Sequence, residues 1–169
     1  MKMTDLFAEE IAREGAITRR TLERVPEGRD DWKPHDKSMP LGRLATLIAG
    51  MPGWLSMIVE KDDFDLNPPG GGSSFNQELK TNKDLLAALD KGVEAARAAV
   101  SATTEEHLLK PWRLLVAGNV VSEKPRHVML RESINHLSHH RGQLTVYLRL
   151  NDVPVPSTYG PSADDQRFE

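Results

Sequence analysis

The 169-residue sequence contains no cysteine, so it can form no disulfide and offers no thiolate as a nucleophile or metal ligand. It also lacks an excess of positive charge: 22 Lys and Arg residues against 25 Asp and Glu residues give a formal net charge of −3. That balance removes the electrostatic basis for binding nucleic acid. The sequence shows no apolar run approaching the roughly 20 residues of a membrane span. We therefore expect a cytoplasmic protein that binds neither nucleic acid nor membrane.

Hydrophobic residues make up 38% of the chain and charged residues 28%, which is typical of a globular protein, so we expect a single domain over residues 1–169. Apolar residues recur at helical spacing in four segments. The pattern predicts helices over residues of about 4–25, 41–60, 82–102 and 125–150. Pro52 lies inside the second of them and predicts a kink there.

The connections are rich in proline and glycine. Residues 61–81 are predicted to form a loop, and residues 107–121 an irregular crossover with room for one short hairpin. The tail, residues 151–169, should be extended, with the turn at Tyr159 packed back on the helices. Four amphipathic helices and no convincing set of strands predict an all-α fold, a four-helix bundle with a long crossover connection before the last helix.

Two histidines on the last predicted helix are the strongest candidates for chemistry. His136 and His140 are four residues apart, so their side chains project from one face about one turn from each other. That spacing allows two imidazoles to reach one divalent ion. Paired histidines on a helix are also often half-buried polar residues, and catalytic zinc sites take three protein ligands. The spacing alone leaves both interpretations open.

Four short motifs occur in this order and span nearly the whole chain. They are Leu-Gly-Arg-Leu-Ala at residues 41–45, Met-Pro-Gly-Trp at 51–54, His-x-x-x-His-Arg-Gly-Gln-Leu at 136–144, and Tyr-Gly-Pro-Ser-Ala-Asp at 159–164. Taken together, they resemble the DinB family. The resemblance implies a four-helix bundle with a crossover topology, a homodimer, and a divalent metal, zinc or nickel, held by three histidines. Two of these ligands carry over to His136 and His140.

The third ligand of the family is missing from this chain. It lies on the second helix in a Leu-Ala-x-His pattern, and here the corresponding residues are Leu44-Ala45-Thr46-Leu47. Leucine cannot bind a metal, so either the metal is lost or another group completes the site. Glu14, near the middle of the apolar face of the first helix, is the candidate substitute, and a solvent-facing boundary position is its alternative. His35 and Glu132 are weaker options.

Two functions are compatible with these residues. The resemblance implies enzymes that act on small molecules, some of them thiol-dependent transferases or isomerases, in which a metal would activate a thiol or water by lowering its pKa. The alternative is a metal-free bundle that binds a small molecule or serves as a dimeric interaction protein. The intact histidine pair favours the first hypothesis, and Leu47 favours the second. With an incomplete site, we expect zinc or nickel to be held weakly.

Overall fold

A computed structural model describes residues 2–69 and 78–168 of the chain. The glycine-rich part of the loop expected at 61–81, residues 70–77, lies outside the described residues. In chain order the elements are α1 (Met3–Leu22), α2 (Leu41–Gly50), α3 (Pro52–Glu60), β1 (Asp63–Asp65), α4 (Asn82–Ala102), α5 (Glu105–Leu109), β2 (Pro111–Val116), β3 (Asn119–Pro125) and α6 (Arg126–Leu150).

The helices follow the apolar periodicity of the sequence closely. The first ends at Leu22 rather than near residue 25. The expected kink is confirmed as a break at Met51, where Pro52 becomes the first residue of α3 and its missing N–H needs no helical partner. Thr81 caps α4, because its hydroxyl accepts a hydrogen bond from the backbone N–H of Asp84 at 3.1 Å.

Helices α4 and α6 each pack against α1 and against the α2–α3 pair, and the core between them has two clusters. One cluster is built around Leu44, Leu137 and Leu144. At its edge, the ring of Trp32 from the loop before α2 meets Tyr147 edge-on, with centroids 5.5 Å apart. The second cluster lies beside the strands and includes Phe7, Leu55, Trp112 and Leu130.

The chain before α6 contains β-strands, so the expected all-α fold is corrected to a helix-rich fold with a small sheet. The sheet has the order β1-β2-β3, with β1 parallel and β3 antiparallel to β2. Ala117 and Gly118 both have positive φ, at 50° and 80°, as a tight two-residue hairpin turn requires. β1 has only three residues, two of them aspartates, and carries almost no strand signal of its own.

Arg126, the first residue of α6, holds the sheet beside that helix. Its side chain is 1% exposed and donates hydrogen bonds to the carbonyls of Pro111 at 2.7 Å and Lys61 at 3.0 Å, and to the carboxylate of Asp62 at 2.5 Å. These acceptors lie at the start of β2 and just before β1. A buried guanidinium needs several such partners. The starts of both strands are thereby fixed against the start of α6.

A buried ion pair joins α1, α6 and the tail. Arg141 donates to the Glu14 carboxylate at 2.7 Å and to the Thr18 hydroxyl at 2.9 Å, and both members of the ion pair are at most 3% exposed. The hydroxyl of Tyr159 donates to the same carboxylate at 2.8 Å, and its ring lies 5.1 Å from the guanidinium carbon of Arg141. The predicted docking of the Tyr159 turn is confirmed.

One helical stretch corrects the expectation about apolar runs. Within the described residues, Leu41–Glu60 is long and apolar enough to cross a membrane by length and composition alone. Of that window, 56% is buried inside the protein, and the helix is broken at Met51. Core helices satisfy the same criterion, so this stretch is weak evidence for a span.

The first prediction concerns the close approach of α3 and α4 at Gly92. A Cβ atom on Gly92 would lie 2.9 Å from the backbone nitrogen of Gly53 and 3.2 Å from Cβ of Pro52. Gly92→Ala should therefore destabilise the protein by about 1–2 kcal/mol, because overpacking outweighs the helix propensity gained. Gly142→Ala is the matched control, since a Cβ there meets nothing within 4 Å. We expect the control to be stabilised by about 0.5–1 kcal/mol. Urea unfolding that shows equal changes for the two variants would contradict the close packing.

The second prediction concerns the buried ion pair. Glu14→Gln leaves the Arg141 guanidinium without a compensating charge in a site from which water is largely excluded. Removing one partner of such a pair costs about 3–5 kcal/mol, so we expect a loss of that order in the free energy of unfolding. Glu9→Gln, an exposed position on the same helix, should change it by less than about 0.5 kcal/mol. Similar unfolding curves for the two variants would refute the assignment.

Candidate functional site

The side chains of His136 and His140 approach each other, each through its Nε2 atom. Their Nε2 atoms are 2.8 Å apart, and the ring centroids are 4.6 Å apart. A zinc ion at about 2.05 Å from each nitrogen, in tetrahedral geometry, would hold the two about 3.3 Å apart. The pair is thus within about half an ångström of the separation that a shared ion needs. The prediction that the two side chains converge is confirmed.

The neighbouring Gln143 fixes one hydrogen-bond donor of this pair. Gln143 lies 2.8 Å from Nδ1 of His140 through its amide oxygen, which can only accept. His140 therefore donates from Nδ1, and the contact between its Nε2 and Nε2 of His136 is a hydrogen bond between the two rings. The amide nitrogen of Gln143 lies 3.1 Å from Nε2 of His139 and donates to that ring. The result is a chain of hydrogen bonds along the outer face of α6.

His136 is the member of the pair with a perturbed titration. Burial lowers the pKa of His136 below its ordinary value, and the neighbouring His140 and His139 rings lower it further by charge repulsion. The ring is therefore neutral at neutral pH. A neutral imidazole has one donor and one acceptor nitrogen and can hydrogen-bond a ligand or bind a metal.

A cavity of about 510 Å³ opens beside His136, between α3, the sheet and α6. Its walls are mostly apolar and include Trp54, Phe64, Trp112, Leu114 and Met129. The volume and lining are those of sites that enclose a small organic molecule. We call this space the aromatic cavity.

The ionisable and hydroxyl side chains of the aromatic cavity come from one stretch of α6. Glu132, Ser133 and His136 line it together, one helical turn from first to last. The carboxylate of Glu132 pairs with Nζ of Lys124 at 2.6 Å, which offsets its charge. The ring of Trp54 lies 6.0 Å from that of His136. The cavity thus has an apolar body and a polar end that includes one histidine of the pair.

The other positions considered for the third ligand line another cavity or bind other groups. Leu47 is half-buried, packs against the core and lines a different cavity, which it shares with Trp54. Glu14 is not solvent-facing: its carboxylate is engaged by Arg141 and Tyr159, on the flank of α6 away from the histidine pair. His35 accepts a hydrogen bond from the backbone N–H of Lys37 in its own loop. The structure does not bring Glu14 or His35 to the pair.

Two donors do not make the three-histidine site that the resemblance implies. Over residues 2–69 and 78–168, no three His, Cys, Asp or Glu side chains are grouped closely enough to hold one ion. Two convergent imidazoles fit a weakly held ion whose remaining positions are taken by water. A complete family site does not fit these residues, so we derive no chemical step through a metal.

The sequence did not predict the walls of the aromatic cavity. Phe64 lies on the short strand β1 and Trp112 on β2, in segments that read as loop and crossover. Trp54, which the sequence marks only as part of the Met-Pro-Gly-Trp motif, lines both cavities and contacts His136. One signal was available: Trp112 is a large aromatic in a connection otherwise expected to be irregular, and such a residue needs a packing partner.

The comparisons with known proteins agree on one family. The family model of the DinB family matches residues 1–167. A crystal structure of a DinB-like protein from Bacillus cereus ATCC 10987 is similar at a TM-score of 0.69 and 23% identity, covering 90% of this chain and 95% of that one. A DinB-like protein from Bacillus subtilis is similar at a TM-score of 0.65 and 20% identity, covering 96% and 99%. No curated protein matches this chain. At these identities the solved structures support the fold alone, and the match of the family model over nearly the whole chain shows that it belongs to the DinB family.

Proposed function

We propose that this chain binds a small, largely apolar molecule in the aromatic cavity, with the polar end of the ligand at Ser133 and His136. The observation that carries the proposal is the position of His136, at the rim of a 510 Å³ apolar cavity and 2.8 Å from a second imidazole. Apolar cavities with a few convergent polar groups are where small ligands bind. The cavity walls supply affinity by burying apolar surface, and the polar rim supplies orientation.

His136 and His140 would bind a divalent ion weakly in this proposal. Zinc or nickel would have two protein ligands and would supply a Lewis-acidic centre beside the polar end of the cavity when bound. The protein's own part is to hold both Nε2 atoms converged, through the bond from His140 to Gln143. Leu47 replaces the family's third ligand with an apolar side chain, which favours binding without a tight metal.

The second candidate is a metal-dependent enzyme of the thiol-dependent transferase or isomerase type. The convergence of the two Nε2 atoms is the observation in its favour, because a divalent ion shared by two imidazoles needs a separation close to this one. Family membership supports the same candidate. The two candidates differ in what completes the coordination of the metal beyond the two histidines. The strength of metal binding measures this difference.

The assembly that goes with this function is a cytoplasmic homodimer of four-helix bundles. The packing of α4 and α6 against α1 and the broken second helix supports the bundle, with residues 103–125 as the crossover before the last helix. The absence of cysteine is compatible with the cytoplasm. Most homo-oligomers of this size are two-fold dimers.

The third prediction tests the aromatic cavity with 1-naphthol, a neutral aromatic alcohol. Because Trp54 and Trp112 line the cavity, we expect saturable quenching of tryptophan fluorescence. Ser133→Phe fills the polar end of the cavity and should weaken 1-naphthol binding by at least about tenfold, because the new ring excludes the ligand from surface that it would otherwise bury. Ser101→Phe, an exposed position on α4, should bind like the parent protein. Absence of saturable quenching in the parent, or equal binding by both variants, would count against the proposal.

The fourth prediction concerns the metal. The purified protein should lose zinc or nickel to a mild chelator, and Leu47→His should raise zinc affinity by at least about tenfold, since even an outer-shell partner changes metal affinity about 10–100-fold. Arg43→His adds a histidine to the exposed surface of the same helix and should give no gain.

Elemental analysis and competition with a chelating dye measure both effects. A stoichiometric, chelator-resistant metal in the parent protein would favour the metal-dependent enzyme. A folded Leu47→His variant without increased affinity would show that residue 47 does not reach the histidine pair.

A further inference from the structure

A second cavity, of about 550 Å³, lies on another side of Trp54 and takes no part in the function proposed above. It is bounded by residues of α2, α3 and α4 and by the chain just before α4. Its apolar lining is formed by Met39, Leu47, Trp54, Leu79 and Ala88. We call it the cationic cavity, for the charges at its rim.

Three ionisable side chains reach this cavity: Arg43, Lys91 and Glu78. The carboxylate of Glu78 is paired with Nζ of Lys80 at 2.7 Å, so its charge is already offset. In the described ranges, neither Arg43 nor Lys91 has a hydrogen-bond or ion-pair partner. Two unneutralised cations therefore border an apolar space, in a chain whose formal net charge is −3.

A hydroxyl adds a directed donor to the same rim. The side-chain oxygen of Thr46 accepts a hydrogen bond from the backbone N–H of Leu79 at 2.9 Å. Its own proton is then available to an acceptor in the cavity, which Thr46 also lines. A guanidinium, an ammonium and a hydroxyl around one opening are the groups that bind a carboxylate.

We propose that the cationic cavity binds a small amphipathic carboxylate, such as a medium-chain fatty acid, independently of the aromatic cavity. The acyl chain lies against Leu47, Trp54 and Leu79, where it buries apolar surface. The carboxylate lies at the rim between Arg43 and Lys91. A neutral molecule with the same chain gains the first contribution and lacks the second, so the site discriminates by charge.

Titration calorimetry with octanoate and with 1-octanol tests the proposal. We expect octanoate to bind about tenfold more tightly than octanol, with an affinity that falls as salt rises, because the anion gains charge-assisted hydrogen bonds. The double variant Arg43→Gln, Lys91→Gln should lose this preference and still bind octanol. Both positions are exposed, so the fold is not at risk.

A second pair of variants tests the location. Gly50 lines the cavity and a Cβ there meets nothing within 4 Å, so Gly50→Leu projects into the space without a clash near the backbone. It should weaken octanoate binding by at least about tenfold, by occupying the acyl position. Gly142→Leu, equally open but on the outer surface of α6, should bind as the parent does.

The binding measurements on the parent and the variants can each contradict the proposal. No saturable octanoate binding to the parent at millimolar concentration, equal affinity for octanoate and octanol, or octanoate binding that survives both the double variant and Gly50→Leu would each overturn the proposal. Ser133→Phe, which fills the aromatic cavity, should leave octanoate binding unchanged. If Ser133→Phe loses octanoate binding while Gly50→Leu binds octanoate as the parent does, the ligand lies in the aromatic cavity, and this result would also overturn the proposal.

Discussion

The buried pair of Glu14 and Arg141 sets the rotation of α6, and the position of the histidine pair depends on it. Two charges that are nearly out of contact with water must face each other, so the Arg141 side of α6 has to lie against α1. Leu137 and Leu144 then face the core between the helices. At about 100° per residue, His136 and His140 fall on the flank beyond those leucines, next to Trp54. A different rotation of α6 would move the histidines and break the ion pair at the same time.

Much of the fold could be predicted because the sequence signals that specify a helix lie within or next to that helix. Apolar periodicity, the proline at residue 52 and the threonine cap of α4 each act over one or two turns, and the structure has the helices where these signals lie. The sheet could not be predicted in the same way. β1 is three residues long and pairs with a strand about 50 positions later, and Arg126 holds the arrangement from a third place in the chain. Such pairing depends on long-range contacts that leave no periodic trace in a short strand.

The candidate site was predictable only where it lies on a single helix. His136 and His140 could be placed together because both belong to α6, and one helical turn fixes their relation. For Glu14 the sequence left a metal ligand and a solvent-facing position open, and neither describes it. Its partner, Arg141, is 127 residues away, and only the packing of α1 on α6 reveals it. The motifs at 136–144 and 159–164 meet through Arg141 and Tyr159, so part of their joint occurrence has a structural cause. A shared motif is thus not in itself evidence of shared chemistry.

The break in the second helix connects this structural frame to the two cavities. Pro52 cannot continue the hydrogen bonding of α2 and begins α3, and Pro52 and Gly53 lie against Gly92 of α4 at a distance that only a glycine allows. Trp54 follows directly and is left between the cavities, lining both. On one side its ring approaches His136, and on the other it meets Leu47, the position at which the family's third ligand is absent. In this chain the tryptophan therefore divides two spaces, an apolar one that ends at a histidine and an apolar one that ends at two cations. Because Trp54 lines both spaces, the two can differ in ligand chemistry.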